Sequence, residues 1–243
     1  MKIIEYLFSM KKENNNHIHP NIRLIIAEAE LEKIPASIQH HPQIKSYAKK
    51  RNKPATQLLL DSSYHHTAMK KITDGSRRGR PDIVHRCLLL ALDSWANYQG
   101  LLQCFIHTRH DYIIEVHPST RLPRQYHRFV GLFEQLMTKA EIRSNQTILL
   151  TYKKKTLEKL IQEQESEVVL LWEHGKNISI GDFIKSKKKK PLTIVLGGFP
   201  HGDFHKATTI IEQKISVEKQ SYTASYLTAK SIISFEQIYC NHK

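Results

Sequence analysis

The sequence predicts an α/β fold in which a mainly parallel sheet carries helices on both faces. Two continuous apolar runs, at 168–172 and 192–196, are typical of strands that are covered on both sides. Each run leads into a loop with glycine, and the second loop reads Gly-Gly-Phe-Pro-His-Gly-Asp over 197–203. A third apolar segment at 215–217 precedes a final predicted helix at 228–239. The repeated order of strand, loop and helix is the pattern of a parallel sheet.

Further elements are predicted from the N-terminus onwards. Residues 1–20 are rich in lysine, asparagine and histidine, and we expect a flexible leader there. An apolar segment at 24–27 and a second segment at 58–61, which ends in the polar Asp61, predict two buried strands, and a helix and a loop with a basic cluster lie between them. A helix is predicted over 81–95, because the proline at its start suits a first turn. The remaining predicted elements are strands at 102–107 and 112–116 and an amphipathic helix at 126–139.

The chain is strongly basic, with 37 lysine and arginine residues against 23 aspartate and glutamate residues and a formal charge of +14. Such an excess favours a polyanionic partner, usually nucleic acid, because neutralising phosphates releases counterions. The alternative is an excess that only increases solubility. The apolar runs are too short to cross a bilayer. Cys87, Cys104 and Cys240 lack the spacing of a disulfide framework or a zinc ribbon, so we expect an intracellular protein without membrane association.

The glycine-bearing loops stand where parallel strands end, which is the usual place for a nucleotide-like ligand. Gly197 and Gly202 permit a close approach of the backbone, although the sequence contains no phosphate-binding P-loop motif. An adenosine held by backbone groups is one interpretation. Glycines that only close a turn between strand and helix are the other.

A first group of arginines, at 77–80, precedes the helix predicted from Pro81. Together with the unpaired N–H groups of that helix, these side chains predict an anion site. Asp82 is close enough to orient Arg80, and Asp93 lies three helical turns further on nearly the same face. A capping carboxylate and an unrelated surface acid are the alternative.

A second group consists of Arg121, Arg124 and Arg128, which would share one face if the segment is helical. Arginine suits phosphate geometry better than lysine does, so this row predicts a nucleic-acid contact. The alternative is a solvated face. The 15 histidines show no zinc-site spacing, and no metal site is predicted.

Several motifs follow one another in an order and spacing typical of one family. Residues 79–85 read Gly-Arg-Pro-Asp-Ile-Val-His, and residues 100–108 read Gly-Leu-Leu-Gln-Cys-Phe-Ile-His-Thr. The loop at 197–202 and the sequence Phe-Glu-Gln-Ile-Tyr at 235–239 complete the pattern. From about residue 58 onwards, the chain resembles the ribosome-biogenesis N1-specific pseudouridine methyltransferases of the SPOUT (trefoil-knot) superfamily, in the form of their archaeal-type members.

The resemblance implies one SPOUT domain over 21–243, with RNA-binding elements at about 75–130 and a cofactor-binding trefoil knot at about 165–243. It implies a homodimer that uses S-adenosylmethionine to methylate N1 of a pseudouridine in small-subunit ribosomal RNA. The expected location is the cytoplasm, or the nucleolus for a eukaryotic source, and ribosomal proteins or assembly factors are possible further partners. The positions that match the family's RNA-contacting residues are Arg80, Arg121, Arg124 and Arg128. The positions that match its cofactor site are Gly175, Gly197, Gly202, Asp203, Phe204, Val217, Glu218, Lys219, Gln220, Ser221 and Tyr222.

Methylation at N1 displaces a proton, so a carboxylate near the acceptor would help the reaction. Asp82 and Asp93 are the candidate catalytic residues, and Asp93 is the freer one if Asp82 is committed to Arg80. Two departures from the family pattern affect the cofactor site, since Lys176 replaces a threonine and the turn at 219–222 lacks a proline. The altered turn keeps open a non-catalytic RNA-binding assembly factor. A SPOUT methyltransferase with another RNA target is a further alternative.

Overall fold

A computed structural model describes residues 22–187, 190–217 and 220–240, so the leader predicted at 1–20 lies outside the described residues. The strands of this part are β1 (Ile22–Ala29), β2 (Leu102–Thr108), β3 (Tyr112–Val116), β4 (Glu141–Ser144), β5 (Thr147–Lys154), β6 (Glu167–Asn177), β7 (Leu192–Gly197) and β8 (Lys214–Ser216). They form one sheet in the order β4-β5-β3-β2-β1-β7-β6-β8.

The helices of the described residues alternate with these strands. None of them is long and apolar enough to cross a membrane. They are α1 (Pro42–Arg51), α2 (Ser62–Met69), α3 (Pro81–Leu92), α4 (Trp95–Tyr98), α5 (Tyr126–Lys139), α6 (Leu157–Gln162), α7 (Ile180–Ser186), α8 (Ala207–Ile210) and α9 (Ala224–Cys240), with short 3-10 helices at Ala36–Ile38 and Ala55–Gln57.

The sheet is mainly parallel. β2, β1, β7, β6 and β8 are parallel neighbours, and β3, β5 and β4 continue the sheet as an antiparallel extension beside β2. This arrangement confirms the predicted α/β class. The hairpin of β4 and β5 is absent from the predicted elements, because most of its side chains are exposed or half-exposed and its apolar run, at 148–150, is only three residues long.

Alternate side chains of β1 point into two different cores. Leu24 and Ile26 lie in the larger core, which receives side chains from α3, α5, α7 and α9. Ile25 and Ala27 lie in the core on the other face, which receives side chains from α6 and α8. The predicted placement of helices on both faces is therefore confirmed.

The buried strand predicted at 58–61 is wrong. Leu59 makes only an isolated bridge to Lys33, outside the sheet. Leu58 and Leu60 are buried in a small third core with side chains of α1 and α2. A run of three leucines shows that the segment is buried, but it does not distinguish a strand from an extended connection between two helices.

The helix predicted over 81–95 is two helices. α3 ends at Leu92, and α4 begins at Trp95 with Ser94 as its N-cap. The Ser94 side chain accepts a hydrogen bond from the backbone N of Asn97 at 3.2 Å, which supports a new helix start. The polar residues Asp93 and Ser94 mark this break, and the predicted helix extended beyond it to the apolar Trp95.

Candidate active site

A pocket opens at the carboxyl ends of β6, β7 and β8, where the parallel strands of an α/β sheet commonly bind ligands. It lies between the start of α3 and the loops that follow these three strands. Its lining comes from Arg80, Ile83 and Arg86 at α3, from Leu171, Trp172 and Glu173 of β6, from Gly197 and residues 199–204, and from Ser216, Val217, residues 220–225 and Leu227.

Most of the predicted cofactor-binding residues line this pocket. Gly175 does not line the pocket. It lies in β6, where a Cβ would come within 2.7 Å of the Ile215 backbone. Glycine at this position permits the close approach of β6 and β8. Glu218 and Lys219 lie outside the described residues. The predicted residues that line the pocket are Gly197, Gly202, Asp203, Phe204, Val217, Gln220, Ser221 and Tyr222.

Gly202 has a backbone conformation that favours glycine. Its φ is +81°, in the left-handed region that residues with a Cβ rarely adopt. A Cβ at this position would also lie 3.0 Å from Nη1 of Arg77. The loop can therefore turn sharply along the pocket and still contact Arg77.

Arg77 holds the loop 199–204, although it does not line the pocket. Its Nη1 donates to the backbone oxygen of Asp203 at 2.6 Å and to that of His201 at 3.4 Å. Its guanidinium lies over the Phe199 ring, 3.8 Å from the centroid. Its Nε donates to the carboxylate of Glu30 at 2.8 Å, and Glu30 is fully buried. The loop is thereby fixed to the segment that follows β1.

The anion site predicted at 77–80 is therefore wrong for its first two arginines. Arg77 is occupied by the loop and by Glu30. Arg78 pairs with both carboxylate oxygens of Glu32, through Nε at 2.6 Å and Nη2 at 2.7 Å. Both arginines are buried and have a carboxylate partner, and of this cluster only Arg80 lines the pocket.

Trp172 lines the pocket, although its place in the sequence indicates only the end of an apolar strand. Its Nε1 donates to Oδ1 of Asp203 at 2.7 Å, and the same oxygen accepts a hydrogen bond from the backbone N of Phe204 at 2.7 Å. Asp203 thus connects the indole of β6 to the loop after β7. A tryptophan at the end of an apolar run was the available signal, but its position alone does not indicate which loop it contacts.

Arg80 and Asp82 form the pair that the sequence predicts. Nε and Nη2 of Arg80 donate to the two carboxylate oxygens at 2.8 Å and 2.9 Å. Burial on its own would raise the pKa of Asp82, but the hydrogen bonds and charge of Arg80 outweigh it and hold the pKa below its usual value. Asp82 therefore stays ionised at neutral pH and orients Arg80 at the edge of the pocket.

The second arginine group does not form one helical row. Arg121 and Arg124 precede α5, and only Arg128 lies in it. The prolines at 118 and 123 explain the difference, because proline and the residue before it disfavour a continuous helix. Within this chain the three arginines do not line the pocket.

Asp93 lies at the opposite end of α3 from Asp82. It is the C-cap of the helix, about 16 Å along the axis from the first turn. Its Oδ2 accepts a hydrogen bond from Nη2 of Arg124 at 3.1 Å, and both side chains are exposed. The two carboxylates are therefore three turns apart on one helix, as the sequence predicts, and Asp93 pairs with Arg124 and does not line the pocket.

The arginine-bearing loop that precedes α5 is fixed at three points. Nδ2 of Asn97 donates to the backbone oxygen of Pro118 at 2.9 Å, and the Thr120 hydroxyl donates to that of Leu149 at 2.9 Å. Nε2 of His85 lies 2.8 Å from the backbone oxygen of Pro123, to which it donates. These bonds give the exposed arginines a defined position.

Comparison with known proteins identifies the family. The family model described as EMG1/NEP1 methyltransferase matches residues 24–236. The chain belongs to the EMG1/NEP1 methyltransferase family. It is 45% identical over 219 residues to the ribosomal RNA small subunit methyltransferase Nep1 of Thermococcus kodakarensis, covering 88% of this chain and 97% of that protein. The Pyrococcus furiosus protein of the same name is 46% identical over 218 residues, covering 88% and 96%.

A solved structure of the EMG1/NEP1 family has the same fold. The crystal structure of Archaeoglobus fulgidus Nep1 bound to S-adenosylhomocysteine matches with a TM-score of 0.81 and 36% identity, covering 90% of this chain and 98% of that one. The similarity confirms the family resemblance and the fold class predicted from the sequence. It also includes residues before 58, which the sequence motifs alone did not relate to the family.

Proposed function

We propose that this protein transfers the methyl group of S-adenosylmethionine to N1 of a pseudouridine in small-subunit ribosomal RNA. Its family is a methyltransferase family, and the relatives are named small-subunit ribosomal RNA methyltransferases. The observation that carries the proposal is the pocket itself. It brings the glycine-bearing loop at the end of β7 next to an arginine that Asp82 orients at the start of α3.

The pocket suits S-adenosylmethionine, and the A. fulgidus relative was solved with S-adenosylhomocysteine, the product of that methyl donor. Gly202 leaves the loop backbone accessible, and Trp172 adds an aromatic wall. Among the described residues, Gly197, residues 202–204, Val217 and residues 220–222 would hold the cofactor, whose sulfonium supplies an electrophilic methyl group. The residues that the structure describes contain no group of side chains arranged to hold a metal ion.

Arg80 and Asp82 act on the RNA side of the pocket. The pair uses Nε and Nη2 of Arg80, which leaves Nη1 for a phosphate oxygen of the RNA. Both oxygens of Asp82 are occupied by Arg80, so we assign Asp82 the role of orienting Arg80 rather than of accepting the N1 proton. Rate enhancement then comes chiefly from holding the acceptor nitrogen in line with the methyl group. The target base must leave its stack to reach the pocket.

Arg124 and Arg128 extend this RNA-binding surface, with Arg121 on the same segment. Asp93 orients Arg124 by the 3.1 Å hydrogen bond and lies too far along α3 to reach the acceptor within one chain. We therefore propose that Asp93 positions an RNA-binding arginine. This role replaces the proton acceptance considered from the sequence.

We also propose a cytoplasmic homodimer in which the C-terminal part of the chain, from about residue 165, forms the trefoil knot. Helices α3 and α9 pack against each other and expose Leu90 and Ile233, at 43% and 51% of their surface. Large apolar side chains exposed on paired helices suit a second copy of this chain. Ile233→Glu is expected to convert the dimer to a monomer in light scattering, and an unchanged mass would reject this surface.

The reaction is tested with purified protein, radiolabelled S-adenosylmethionine and two RNA hairpins. The hairpins are identical except for pseudouridine or uridine at one loop position. Label in the pseudouridine hairpin alone is the expected result. Label in both hairpins would show that the acceptor is not N1 of pseudouridine. Label in neither hairpin, with tight RNA binding, would favour an assembly role without catalysis.

A further inference from the structure

The segment 42–71, which forms α1 and α2, is a basic surface that the proposed function has not used. It contains seven lysine and arginine residues and a single acid, Asp61. Asp61 is buried, and Glu134 of α5 pairs with Arg51 and Lys53, so the unpaired charge of this surface comes from its other lysines. The exposed members of α1 include Lys45, Lys49 and Lys50. A polyanion is the partner that such a surface attracts.

Two stacked tyrosines lie within this basic surface. The rings of Tyr47 and Tyr64 are 5.0 Å apart at an interplanar angle of 28°. Tyr64 is 44% exposed, whereas Tyr47 is half-buried beneath the hydrogen bond from Nη1 of Arg51 to its hydroxyl, at 2.8 Å. Arg51 is itself held by the buried carboxylate of Glu134 at 2.9 Å. The structure therefore holds the Tyr64 ring in place and leaves part of it open to solvent.

Helix α2, which carries Tyr64, is connected to both groups of arginines proposed to bind RNA. Asp61 caps α2 by accepting a hydrogen bond from the backbone N of Ser63 at 2.8 Å, and its other oxygen accepts one from the Tyr126 hydroxyl at 2.6 Å. Tyr126 is the first residue of α5, which carries Arg128. The backbone N of Ser62 donates to the oxygen of Gly79, next to Arg80, at 2.9 Å. One set of contacts thus joins α2 to both parts of the RNA-binding surface.

We infer that α1 and α2 form a second RNA-binding surface, on which the Tyr64 ring stacks with an unpaired base beside the target loop. Lys45, Lys49 and Lys50 contact the phosphates on either side of that base. Aromatic rings set among cations are how proteins bind single-stranded nucleic acid, because every base offers a flat face and every nucleotide a charge. This inference rests on the proposed function, since it extends the binding of the same RNA.

The test compares two RNAs by fluorescence anisotropy. One is the minimal target hairpin, and the other is the same hairpin with single-stranded extensions on both sides. Tyr64→Ala is expected to weaken binding of the extended RNA by about tenfold, and Tyr64→Phe to keep it, since stacking needs the ring and not the hydroxyl. Binding of the minimal hairpin is expected to change by less than about twofold, because it lacks the stacked base.

The proposed contacts between lysines and phosphates are tested with the double variant Lys49→Ala/Lys50→Ala. It is expected to lower the slope of log affinity against log salt by between about one and two for the extended RNA, as two phosphate contacts are lost. Lys159→Ala on α6, on the other face of the sheet, is the matched control and should leave the slope unchanged. Thermal unfolding and S-adenosylhomocysteine titration of every variant check that the fold and the pocket are intact.

Two results would overturn the inference in different ways. If the unaltered protein binds and methylates the extended RNA, and the Tyr64 and lysine variants bind it equally well with an unchanged salt slope, the second surface is rejected and the proposed function stands. If the unaltered protein neither binds nor methylates either RNA, the proposed function fails, and the inference fails with it.

Discussion

The backbone oxygen of Asp203, in the pocket loop, accepts a hydrogen bond from Nη1 of Arg77 at 2.6 Å. Arg77 also pairs with the buried Glu30 and precedes Arg80 by three residues. The same segment thus holds the loop assigned to the cofactor and carries the arginine assigned to RNA. His201 strengthens the connection, since its Nε2 lies 3.2 Å from the backbone oxygen of Ser76. Arg77 therefore couples the geometry of the two proposed binding sites.

Arg77→Lys tests this coupling. A lysine can keep the charge beside Glu30, but it cannot bond Glu30 and the Asp203 backbone at once or cover Phe199 with a planar group. We expect S-adenosylhomocysteine to bind about tenfold more weakly, in line with the loss of a charge-assisted hydrogen bond. Isothermal titration calorimetry measures this change.

The matched control for Arg77→Lys is Arg143→Lys, at an exposed pair with Glu141 on the distant hairpin. It should bind S-adenosylhomocysteine as the unaltered protein does. Thermal unfolding of both variants separates a local effect on the loop from a general loss of stability. Unchanged cofactor affinity in a folded Arg77→Lys protein would show that the loop does not depend on Arg77.

Gly202→Ala tests the shape of the loop. At a φ of +81° a side chain strains the backbone, and the new methyl group would lie 3.0 Å from Nη1 of Arg77. The loop and Arg77 must then separate. We expect S-adenosylhomocysteine affinity to fall by more than about tenfold, because backbone strain of about 1–3 kcal/mol adds to the loss of the contact with Arg77. Gly131→Ala, at a helical position with open space around it, is the control.

Gly131→Ala is expected to stabilise the protein slightly, by about 0.5–1 kcal/mol, because alanine favours a helix more than glycine does. Its cofactor affinity should not change. A Gly202→Ala protein with normal cofactor affinity would place the binding site away from this loop. Calorimetry with S-adenosylhomocysteine and urea unfolding provide the two measurements.

The local sequence pattern was sufficient to predict elements that have a clear amphipathic repeat or a continuous apolar run. The amphipathic repeat of α5 predicted its bounds at 126–139, and the apolar run at 192–196 predicted β7. The glycine-bearing loop after β7 predicted one side of the pocket, because a strand and its following loop are neighbours in sequence. In these cases the local sequence contains the physical cause of the structure.

Long-range pairing was the main information that the sequence could not provide. The sequence suggests that Arg77 is an exposed cation, because it does not indicate that Glu30, 47 residues earlier, pairs with it. Arg121 and Arg124 read as part of a helical row, although prolines interrupt the helix. Each error arose because spacing along the chain was used where a tertiary partner or a chain break decides the outcome.

Arg124→Ala tests the path of the RNA. Arg124 is 83% exposed and pairs with the exposed Asp93, so the substitution should not disturb the fold. We expect weaker RNA binding and a salt slope lower by about one, because one phosphate contact is lost. S-adenosylhomocysteine affinity should stay the same. An unchanged slope would remove Arg124 from the RNA path, and Arg143→Ala on the distant hairpin serves as the control for net charge.

His65, in the helix α2 that carries Tyr64, should make the stability of the protein sensitive to acid. Its side chain is fully buried, and its Nδ1 accepts a hydrogen bond from the backbone N of Asp61 at 3.0 Å. Burial lowers the pKa of His65 from 6.5 to about 4, although the nearby Asp61 carboxylate opposes the change. A protonated Nδ1 could not accept that bond, so the folded state needs the neutral ring.

Stability should therefore fall as the pH drops below 6.5. The unfolded chain takes up a proton at His65 near pH 6.5, whereas the folded chain does so only near pH 4. Over this window the unfolded state binds more protons, and its free energy decreases relative to that of the folded state. At pH 5 the loss attributable to His65 is up to about 2 kcal/mol.

Urea unfolding of the unaltered protein and of His65→Phe at pH 7.5 and pH 5 isolates this contribution. The variant loses the Asp61 hydrogen bond at both pH values, so it is less stable throughout, but it has no ring to protonate. We expect the decrease in unfolding free energy between the two pH values to be smaller in His65→Phe by up to about 2 kcal/mol. His85 and His107, whose pKa values burial also lowers, act equally in both proteins and cancel in the comparison. An equal decrease in both proteins would mean that His65 is protonated in the folded state at pH 5.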